Sequence, residues 1–297
     1  INHLEMWLLS MSDQNIKISL ERSVAINGIA KVHISPFSEI KSTQHGEVFL
    51  VASGPSASDF NFKEFCTDKP VIAMNGSISL CESNNIKPFF YICYDEFFVG
   101  DRLELFLKGV NSAENLAFSY PVIEEILKRR PDVLVNKKVF LFERVNRDIH
   151  DNRIIPNWLH PLVARARKEA ACEFSLLGRK KNGIGFSLDL SKGYYGGRTI
   201  LFGGLQLAYH VGFNKVFAIG MDMNSSAGRF YEKGEGSTPS NLDIHWHRNI
   251  LPSFKLMAKS VIKKGVFEVF NLSEKSRVPH SLIPKISQTE LRKMLHV

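Results

Sequence analysis

The sequence predicts an α/β fold in which a mostly parallel, Rossmann-like sheet is flanked by helices. Short, continuously apolar strands recur along the chain, and each leads into small or polar residues. Such strands are typical of parallel sheets that are covered on both faces. Between two of them, Leu201, Leu205 and Ala208 repeat at helical spacing, and Gly212 follows. This pattern predicts a packed helix that ends at the glycine.

The composition is that of an ordinary globular protein. The chain has 297 residues, of which 44% are hydrophobic and 23% are charged. This length suits one large α/β domain or two modest ones, and the composition excludes a disordered, collagenous or coiled-coil protein. No apolar run approaches the roughly 18 residues of a membrane-spanning helix. The four cysteines form no CxxC pair, which predicts reduced, mostly buried thiols of a cytosolic protein and neither a zinc site nor a disulfide framework.

The positive charge of the chain is concentrated in one region. The formal net charge is +8, and residues 121–200 hold 16 Lys and Arg against 9 Asp and Glu. A basic face of this kind indicates an anionic partner, and a solvated basic surface is the alternative. A nucleic-acid partner is disfavoured because the aromatic residues are not interleaved with the basic runs as a stacking platform requires.

Residues 1–46 are predicted to form a β-hairpin appendage and a linker. Alternating residues over 16–20 and 31–34 predict two strands, and the dipeptide Asn27-Gly28 between them suits a type I′ turn. The main domain is predicted to span residues 47–297.

Six apolar stretches of the main domain are predicted to be strands. They are, in order, 47–52, 70–74, 88–93, 138–142, 216–219 and 266–270. Helices are predicted over 199–211 and 255–264, and the less regular residues at about 96–190 are predicted to form an inserted helical lid. Ligands of parallel sheets lie outside the carboxyl ends of the strands, so the polar residues that follow each strand are candidate site residues.

The first such segment is Ser53-Gly54-Pro55-Ser56. A glycine here allows the backbone to approach a ligand closely, and a following helix would direct its free N–H groups at a phosphate. The segment matches neither GxGxxG nor a Walker loop, and an ordinary strand-to-helix turn is the alternative. Asn75 and Asp95 occupy comparable positions after the next two strands.

A second polar group precedes the predicted helix at 199–211. The segment 193–199 combines three glycines and two tyrosines with Arg198 and Thr199. Glycine-rich backbone and a cation at a helix start suit an anion that lies beside a flat ring. A flexible loop is the alternative.

Polar residues also follow the strand at 216–219. Gly220 and Asp222 come directly after it, and Arg229 and Tyr231 lie a few residues further on. Asp222 is placed to hold a ribose or sugar hydroxyl, and Arg229 to neutralise a departing phosphate.

Two histidines flank a tryptophan in the segment His245-Trp246-His247. An HxH pair can bind a metal, but no third ligand stands at a persuasive spacing, so no metal site is predicted. A histidine whose pKa is near neutrality can instead accept a proton from a hydroxyl. Two surface histidines on a loop are the alternative.

These motifs, in this order, resemble the bacterial sialyltransferases of glycosyltransferase family 42. The matching stretches are 51–56 with its Gly-Pro-Ser, 73–75 with its asparagine, 212–222 with its Gly-x-Asp end, and the histidines at 245–247. A closer resemblance is to the lipopolysaccharide core proteins of the WaaZ type, which add a third Kdo sugar. It rests on the segments 7–12, 48–56, 73–77, 90–93 and 228–231. The WaaZ-type resemblance covers nearly the whole chain.

Both resemblances imply a variant of the GT-A fold and a donor in which CMP activates a 2-keto sugar acid. The nucleotide would lie against strand-end residues, namely Ser53, Gly54, Ser56, Asn75, Gly220 and Asp222. Asp95 would face the donor sugar, and Thr199 or Arg198 its carboxylate. This chain has Ser53 and Asn224 where the sialyltransferases have an asparagine and a tyrosine.

The resemblance also implies the catalytic groups. His245 or His247 would be the base, with His245 favoured by its distance from the helix that follows. Arg229 and Tyr231 would offset charge on the departing CMP, so that neither a metal nor another cofactor is needed.

The expected activity is inverting transfer of Kdo from CMP-Kdo to the lipid A-linked Kdo region of the inner core. The basic residues 121–200 would hold the enzyme against the anionic cytoplasmic face of the bacterial inner membrane. A sialyltransferase that acts on a galactoside is one alternative. A non-catalytic protein that binds anionic glycans is the other.

Overall fold

The computed structural model describes residues 16–18, 23–26, 29–148, 151–175, 183–231 and 241–296. Its strands in chain order are β1 (Ile16–Ile18), β2 (Ser23–Ile26), β3 (Ile29–Ser35), β4 (Glu47–Val51), β5 (Val71–Met74), β6 (Phe90–Cys93), β7 (Asn115–Phe118), β8 (Val139–Leu141), β9 (Ala170–Cys172), β10 (Gly185–Ser187), β11 (Lys215–Ile219) and β12 (Glu268–Asn271).

Within the described residues, ten of these strands form one sheet in the order β1-β2-β3-β8-β7-β6-β5-β4-β11-β12. All neighbours from β3 to β12 pair in parallel, whereas β1 and β2 add antiparallel strands at one edge. The remaining pair, β9 and β10, forms a small antiparallel sheet. The mostly parallel sheet that the sequence predicts is confirmed.

Helices cover both faces of this sheet. In chain order they are α1 (Phe62–Phe65), α2 (Ile78–Ser83), α3 (Glu96–Asp101), α4 (Leu103–Ser112), α5 (Tyr120–Arg129), α6 (His160–Ala166), α7 (Ile200–Val211), α8 (Leu242–His245), α9 (Leu251–Ser260) and α10 (Gln288–Leu295). Successive residues of a strand point to opposite faces, and β4 shows the result. Its Leu50 lies in the core cluster that contains α7, and its Phe49 and Val51 lie in the cluster on the other face, where the Phe49 ring is 6.0 Å from that of Phe60.

The helix α7 forms where the sequence predicts it. It begins after Thr199 and ends at Gly212, whose φ of 109° is in the left-handed region that glycine adopts readily. A glycine inside the helix, Gly204, brings it close to the sheet: a Cβ there would lie 2.7 Å from Leu50 Cδ1. The helix predicted over 255–264 is observed over Leu251–Ser260, because Pro252 starts its first turn.

The N-terminal strands differ from the predicted hairpin. Of the residues predicted to pair, 16–18 form β1 and 31–34 belong to β3, and β2 lies between these two strands. Residues 19–20 lie outside the described residues. The observed register places Ile26 opposite Ile29, as a two-residue turn requires of the residues on either side of it. The turn itself, Asn27-Gly28, lies outside the described residues. Because β3 pairs with β8, this part of the predicted appendage extends the central sheet.

The predicted lid at about 96–190 is too long. Residues within it form β7 and β8 of the central sheet and helices that pack against that sheet. The sequence prediction failed here because β7 is a four-residue Asn-Leu-Ala-Phe stretch without β-branched residues. In the described part of this region, the elements outside the sheet and its helices are α6, β9 and β10, which lie between residues 143 and 190.

All four cysteines are buried free thiols, as predicted. Burial raises the pKa of the Cys81 thiol to about 12, so this side chain packs as a small apolar group.

Candidate functional site at the strand ends

The strand order reverses between β4 and β11. The chain continues from β4 to β5 on one side, whereas β11 continues to β12 on the other. Two backbone hydrogen bonds extend this pairing past the strands: Ala52 N–H donates to Ile219 O at 2.9 Å, and Gly54 N–H donates to Gly220 O at 3.0 Å. A crevice at such a switch point is where open α/β sheets bind ligands. The structure brings the predicted residues after β4 and after β11 together here.

Ser56 and Asp222 form the polar centre of this crevice. The Ser56 hydroxyl donates to Asp222 Oδ2 at 2.7 Å, and the Ser56 backbone N–H reaches the same oxygen at 3.3 Å. Ser273, after β12, lies 2.7 Å from the Ser56 hydroxyl and is fully buried. Residues from three strand ends thus hold the Asp222 carboxylate in one position.

Gly54 is needed here for a reason that the sequence did not indicate. Its backbone is extended, with φ −66° and ψ 152°, so any residue could adopt its conformation. A Cβ at this position would overlap the Asp222 carboxylate and the Gly220 carbonyl oxygen. The close approach that requires glycine is therefore made by the protein's own carboxylate.

Asn75 directly follows β5, as predicted, and its amide oxygen lacks a partner. Its backbone is left-handed, with φ 46°. The Oδ1 atom is buried and accepts no hydrogen bond within the described part of the chain. Buried polar atoms are nearly always paired, so an unpaired oxygen beside the crevice is placed to receive a hydrogen bond from a ligand.

The loop after β11 crosses the ends of β4 and β5. Phe230 N–H donates to Ser53 O at 3.2 Å, which places Arg229 and Tyr231 next to the crevice. The Tyr231 ring covers Gly76 so closely that a Cβ on that glycine would overlap the ring. Both predicted residues of this loop are therefore near the predicted nucleotide residues, and both are partly exposed.

Asp95 has a structural role in addition to its predicted one. It is the N-cap of α3, and its Oδ1 accepts a hydrogen bond from Phe97 N–H at 3.1 Å. This bond fixes the carboxylate at the end of β6.

The segment that contains His245 and His247 lies between these strand ends and a neighbouring cleft, whose lining includes Asn249. Its Asp243 carboxylate accepts hydrogen bonds from Ser225 and from Arg277, which hold the pKa of Asp243 below its usual value. Arg277 also stacks on the buried Trp246 ring at 4.3 Å, and its backbone N–H donates to Asp222 O at 2.9 Å.

The histidines themselves are accessible. His245 ends α8 and is partly exposed, and His247 is exposed in a π-helical turn over Trp246–Ile250. Turns of this kind are rare and occur frequently at functional sites.

Beside the switch point, a cleft of about 530 Å³ opens at the ends of β6, β7 and β8. Among the residues that line it are Tyr94, Glu143, Tyr194, Arg198 and Asn249. Tyr194 stacks on Phe142 with ring centroids 4.2 Å apart, and Tyr94 stacks on Tyr194 at 5.6 Å.

The predicted residue Arg198 belongs to this cleft. It is exposed, has a left-handed φ of 60°, and makes no ion pair with any described residue. Thr199 is the N-cap of α7, but its side chain makes no capping hydrogen bond. The structure thus leaves both side chains available at the border between crevice and cleft.

The model of the family described as 3-deoxy-D-manno-octulosonic acid (Kdo) transferase WaaZ matches residues 29–289. The chain belongs to this family. Every candidate residue described above lies within the matched range. The WaaZ-family protein is thus a glycosyltransferase.

Two bacterial relatives carry descriptions that agree with this assignment. A protein of Escherichia coli K12, described as a probable 3-deoxy-manno-octulosonic acid transferase, is 27% identical over 245 residues, which cover 82% of this chain and 84% of that protein. A protein of Salmonella typhimurium LT2 with the same description is 27% identical over 223 residues, covering 75% and 80%.

Two solved structures are more distant. The sialyltransferase CstII from Campylobacter jejuni is 13% identical, with a TM-score of 0.43 over 80% of this chain and 83% of that one. The MAf glycosyltransferase from Magnetospirillum magneticum AMB-1 is 17% identical, with a TM-score of 0.47 over 84% and 35%.

Glu143 is a residue of this WaaZ-family protein that the sequence analysis missed. It lies just after β8, and its Oε1 accepts a hydrogen bond from Tyr120 N–H at 2.7 Å. Burial raises the pKa of Glu143 to about 8, although the Tyr120 N–H and the Arg144 guanidinium oppose this shift. A carboxyl with such a pKa in a cleft is a candidate functional group. Its position directly after an apolar strand could have indicated a site residue, but the sequence predicts a lid over residues 96–190 and therefore no site at this strand end.

Two general findings complete the description of the WaaZ-family protein. No helix among the described residues is long and apolar enough to span a membrane. In the same part of the chain, no three side chains of His, Cys, Asp or Glu are grouped in a way that could hold a metal ion. The predicted independence from metals and cofactors remains a prediction.

Proposed function

We propose that the protein transfers Kdo, with inversion, from CMP-Kdo to the lipid A-linked Kdo region of the lipopolysaccharide inner core. The observation that carries this proposal is the family match over residues 29–289. The descriptions of the two bacterial relatives agree with it. The crevice at the switch point between β4 and β11 supports it further, because that is where a parallel sheet offers space and polar groups to a nucleotide.

The nucleotide would lie across the ends of β4, β5 and β11. Asp222 uses its Oδ2 atom for Ser56. Its Oδ1, which has no hydrogen-bond partner among the described residues, would accept a hydrogen bond from a ribose hydroxyl. Asn75 Oδ1, which is buried and has no partner in the described part of the chain, would accept one from a donor group of the nucleotide. Ser53, Gly54 and Gly220 would supply the backbone under it.

The reacting groups would be supplied by two segments that flank this nucleotide. Arg229 and Tyr231 would offset the negative charge that develops on CMP as the bond to the sugar breaks. His245 or His247 would take the proton from the acceptor hydroxyl. Asp95 and either Arg198 or Thr199 would face the donor sugar and its carboxylate. Because CMP leaves with a single phosphate and cationic and hydroxyl groups are at hand, the reaction would need neither metal nor cofactor.

The acceptor is attached to a membrane, and the protein would reach it from the cytoplasmic face of the inner membrane. The basic residues 121–200 would contact the anionic leaflet, where each Lys or Arg near the surface contributes about 1 kcal/mol. Binding to vesicles that contain anionic lipid should weaken as salt is raised, since attraction between exposed charges is screened.

The test is a transfer assay with purified protein, a lipid A acceptor that carries Kdo, and either CMP-Kdo or CMP-sialic acid. Turnover of CMP-Kdo, together with an inner core that gains one Kdo in mass spectra only from cells that make the protein, supports the proposal. Turnover of CMP-sialic acid alone would indicate the sialyltransferase alternative. Glycan binding without turnover of either donor would indicate a non-catalytic protein.

A further inference from the structure

The cleft at the ends of β6, β7 and β8 is separate from the crevice at the ends of β4 and β11, and a transferase needs a second site for its acceptor. We propose that this cleft binds the acceptor sugar through its carboxylate, and that the carboxyl group of Glu143 donates a hydrogen bond to that carboxylate. This inference rests on the proposed function, because it assumes that the crevice is occupied by the nucleotide.

The position of the cleft fits an acceptor site. The segment that carries His245 and His247 begins beside the crevice, where Asp243 contacts Ser225 and Arg277. The same segment ends at the cleft, where Asn249 is part of the lining. A base on this segment therefore lies between the two sites, as a group that removes a proton from an acceptor hydroxyl must.

The lining of the cleft fits a sugar. Tyr94 and Tyr194 stack on each other, and Tyr194 is fixed against Phe142. Rigid aromatic rings offer apolar surface to a sugar ring without losing much side-chain freedom. Asn146, Asn157 and Ser119 add polar groups that can bind hydroxyls.

The charges of the cleft fit an acid. Three guanidinium groups line it, those of Arg144, Arg147 and Arg198. Arg198 would serve the acceptor where Thr199 is the residue that faces the donor's carboxylate. The carboxyl groups in the same lining are Glu96, Asp151 and Glu143, and Arg144 pairs with Asp151. When Glu143 is protonated, the cations of the lining outnumber its carboxylates. When Glu143 is ionised, the lining holds equal numbers of guanidinium groups and carboxylates.

Glu143 is positioned to act as a hydrogen-bond donor. Its Oε1 is occupied by the Tyr120 N–H, and its Oε2 accepts no hydrogen bond within the described residues. Burial raises its pKa to about 8, so at pH 7 most molecules carry the proton. A protonated carboxyl can donate to the carboxylate of an acidic sugar, whereas an ionised one repels it.

The tyrosines and the histidine near Glu143 have pKa values that are shifted away from the range between pH 7 and pH 9. The charged and titratable side chains around it are Tyr94, Tyr120, Arg144, Asp148, Asp151, His160, Tyr194 and Arg198. Burial raises the pKa of all three tyrosines above the usual 10. It lowers the pKa of His160 below 6.5. A change in affinity over this pH range that the Glu143→Gln substitution abolishes is therefore attributable to Glu143.

The experiment is a calorimetric titration of the full chain, saturated with CMP, with the methyl glycoside of Kdo at pH 7 and pH 9. The protonated fraction of a group whose pKa is about 8 falls roughly tenfold over this range, so the affinity of the wild type should fall by about tenfold. In Glu143→Gln the amide oxygen accepts the Tyr120 N–H and the NH₂ group faces the cleft. This variant should bind at pH 7 like the wild type and lose the dependence on pH.

Two controls separate charge from structure. Glu125→Gln removes a partly exposed carboxyl of α5 that pairs with Arg129, and it should behave as the wild type at both pH values. The methyl ester of the same glycoside, which has no carboxylate, should bind more weakly at pH 7. Wild-type affinity that is equal at pH 7 and pH 9 would overturn the inference, even if the Gln variant does not fold. Equal affinity for acid and ester would do the same.

The titration with CMP alone distinguishes this inference from the proposed function. If CMP does not bind, the proposed nucleotide site is wrong. If CMP binds while the Kdo glycoside shows no dependence on Glu143, the proposed function stands and the acceptor site lies elsewhere.

Discussion

Replacing Gly54 with alanine tests the geometry of the switch point directly. The backbone of Gly54 is extended, with φ −66° and ψ 152°, so alanine is not excluded by its conformation. The added Cβ would overlap the Asp222 carboxylate and the Gly220 carbonyl oxygen. The carbonyl is backbone, and the carboxylate is held by Ser56. Moving the carbonyl would break the pairing between the ends of β4 and β11, and moving the carboxylate would break its hydrogen bonds with Ser56.

The size of the effect follows from these contacts. Overpacking of this kind costs about 1–3 kcal/mol, and losing the hydrogen bonds of Ser56 to a carboxylate costs about 1.5–3 kcal/mol more. We therefore expect Gly54→Ala to reduce the free energy of unfolding by roughly 2.5–6 kcal/mol. In a protein of this size about 2 °C of Tm corresponds to 1 kcal/mol, so the Tm should fall by roughly 5–12 °C.

The assay is thermal denaturation of Gly54→Ala, followed by calorimetric titration with CMP at a temperature where the variant is folded. Gly100→Ala is the matched control. It makes the same change inside α3, where the nearest atom is the flexible end of Arg129 at 3.4 Å, and it should stabilise the helix by about 0.5–1 kcal/mol. If Gly54→Ala melts within 1–2 °C of the wild type, the two contacts do not constrain this position and the reasoning is wrong.

Three further predictions concern catalysis and pH. His245→Ala should lower kcat by about 10²–10⁴-fold with little change in the KM for the donor, because the base contacts the acceptor hydroxyl. Loss of activity in His247→Ala instead would move the assignment by two residues. Full activity in both variants would refute the assignment of the base to this segment. Activity should persist in EDTA, and its loss followed by recovery on added Mg²⁺ would contradict the metal-free mechanism. Glu143→Gln should gain stability relative to the wild type as the pH rises from 5 to 9. The pKa of Glu143 is raised from 4.5 to about 8, so the folded wild type holds a proton that the unfolded chain has released, and its stability falls as the pH rises through this range. Since one pKa unit corresponds to 1.36 kcal/mol, the gain in the free energy of unfolding is at most roughly 4 kcal/mol. A difference in Tm between the two proteins that is the same at both pH values would rule this prediction out.

The central sheet could be predicted because its strands are continuously apolar. In β4 every residue from Val48 to Val51 is fully buried, so the sequence carries no alternation that could be mistaken for a one-sided sheet. The end of α7 was equally clear, since Gly212 adopts a conformation that few other residues tolerate. Predicting these elements also predicted where the strands end. The candidate site residues after β4, β5 and β11 could therefore be predicted as well.

Most of the features that the sequence did not predict depend on contacts between distant segments of the chain. Nothing near Gly54 in the sequence reveals that Asp222, far along the chain, fills the space next to it. The raised pKa of Glu143 arises from burial beneath elements that the sequence does not place. The short strand β7 carries too few residues for its period to be read, and missing it led to the overlong lid.

The reversal of strand order has a consequence for how the protein is made. On a ribosome, β4 to β8 are synthesised well before β11, the partner of β4 on its other side. Until residues 215–219 leave the exit tunnel, the nascent chain presents a bare, fully apolar strand edge in what will become the interior of the sheet. Such an edge readily pairs with other chains. We therefore expect the yield of folded protein to depend on chaperones or on slow translation through the region between β8 and β11.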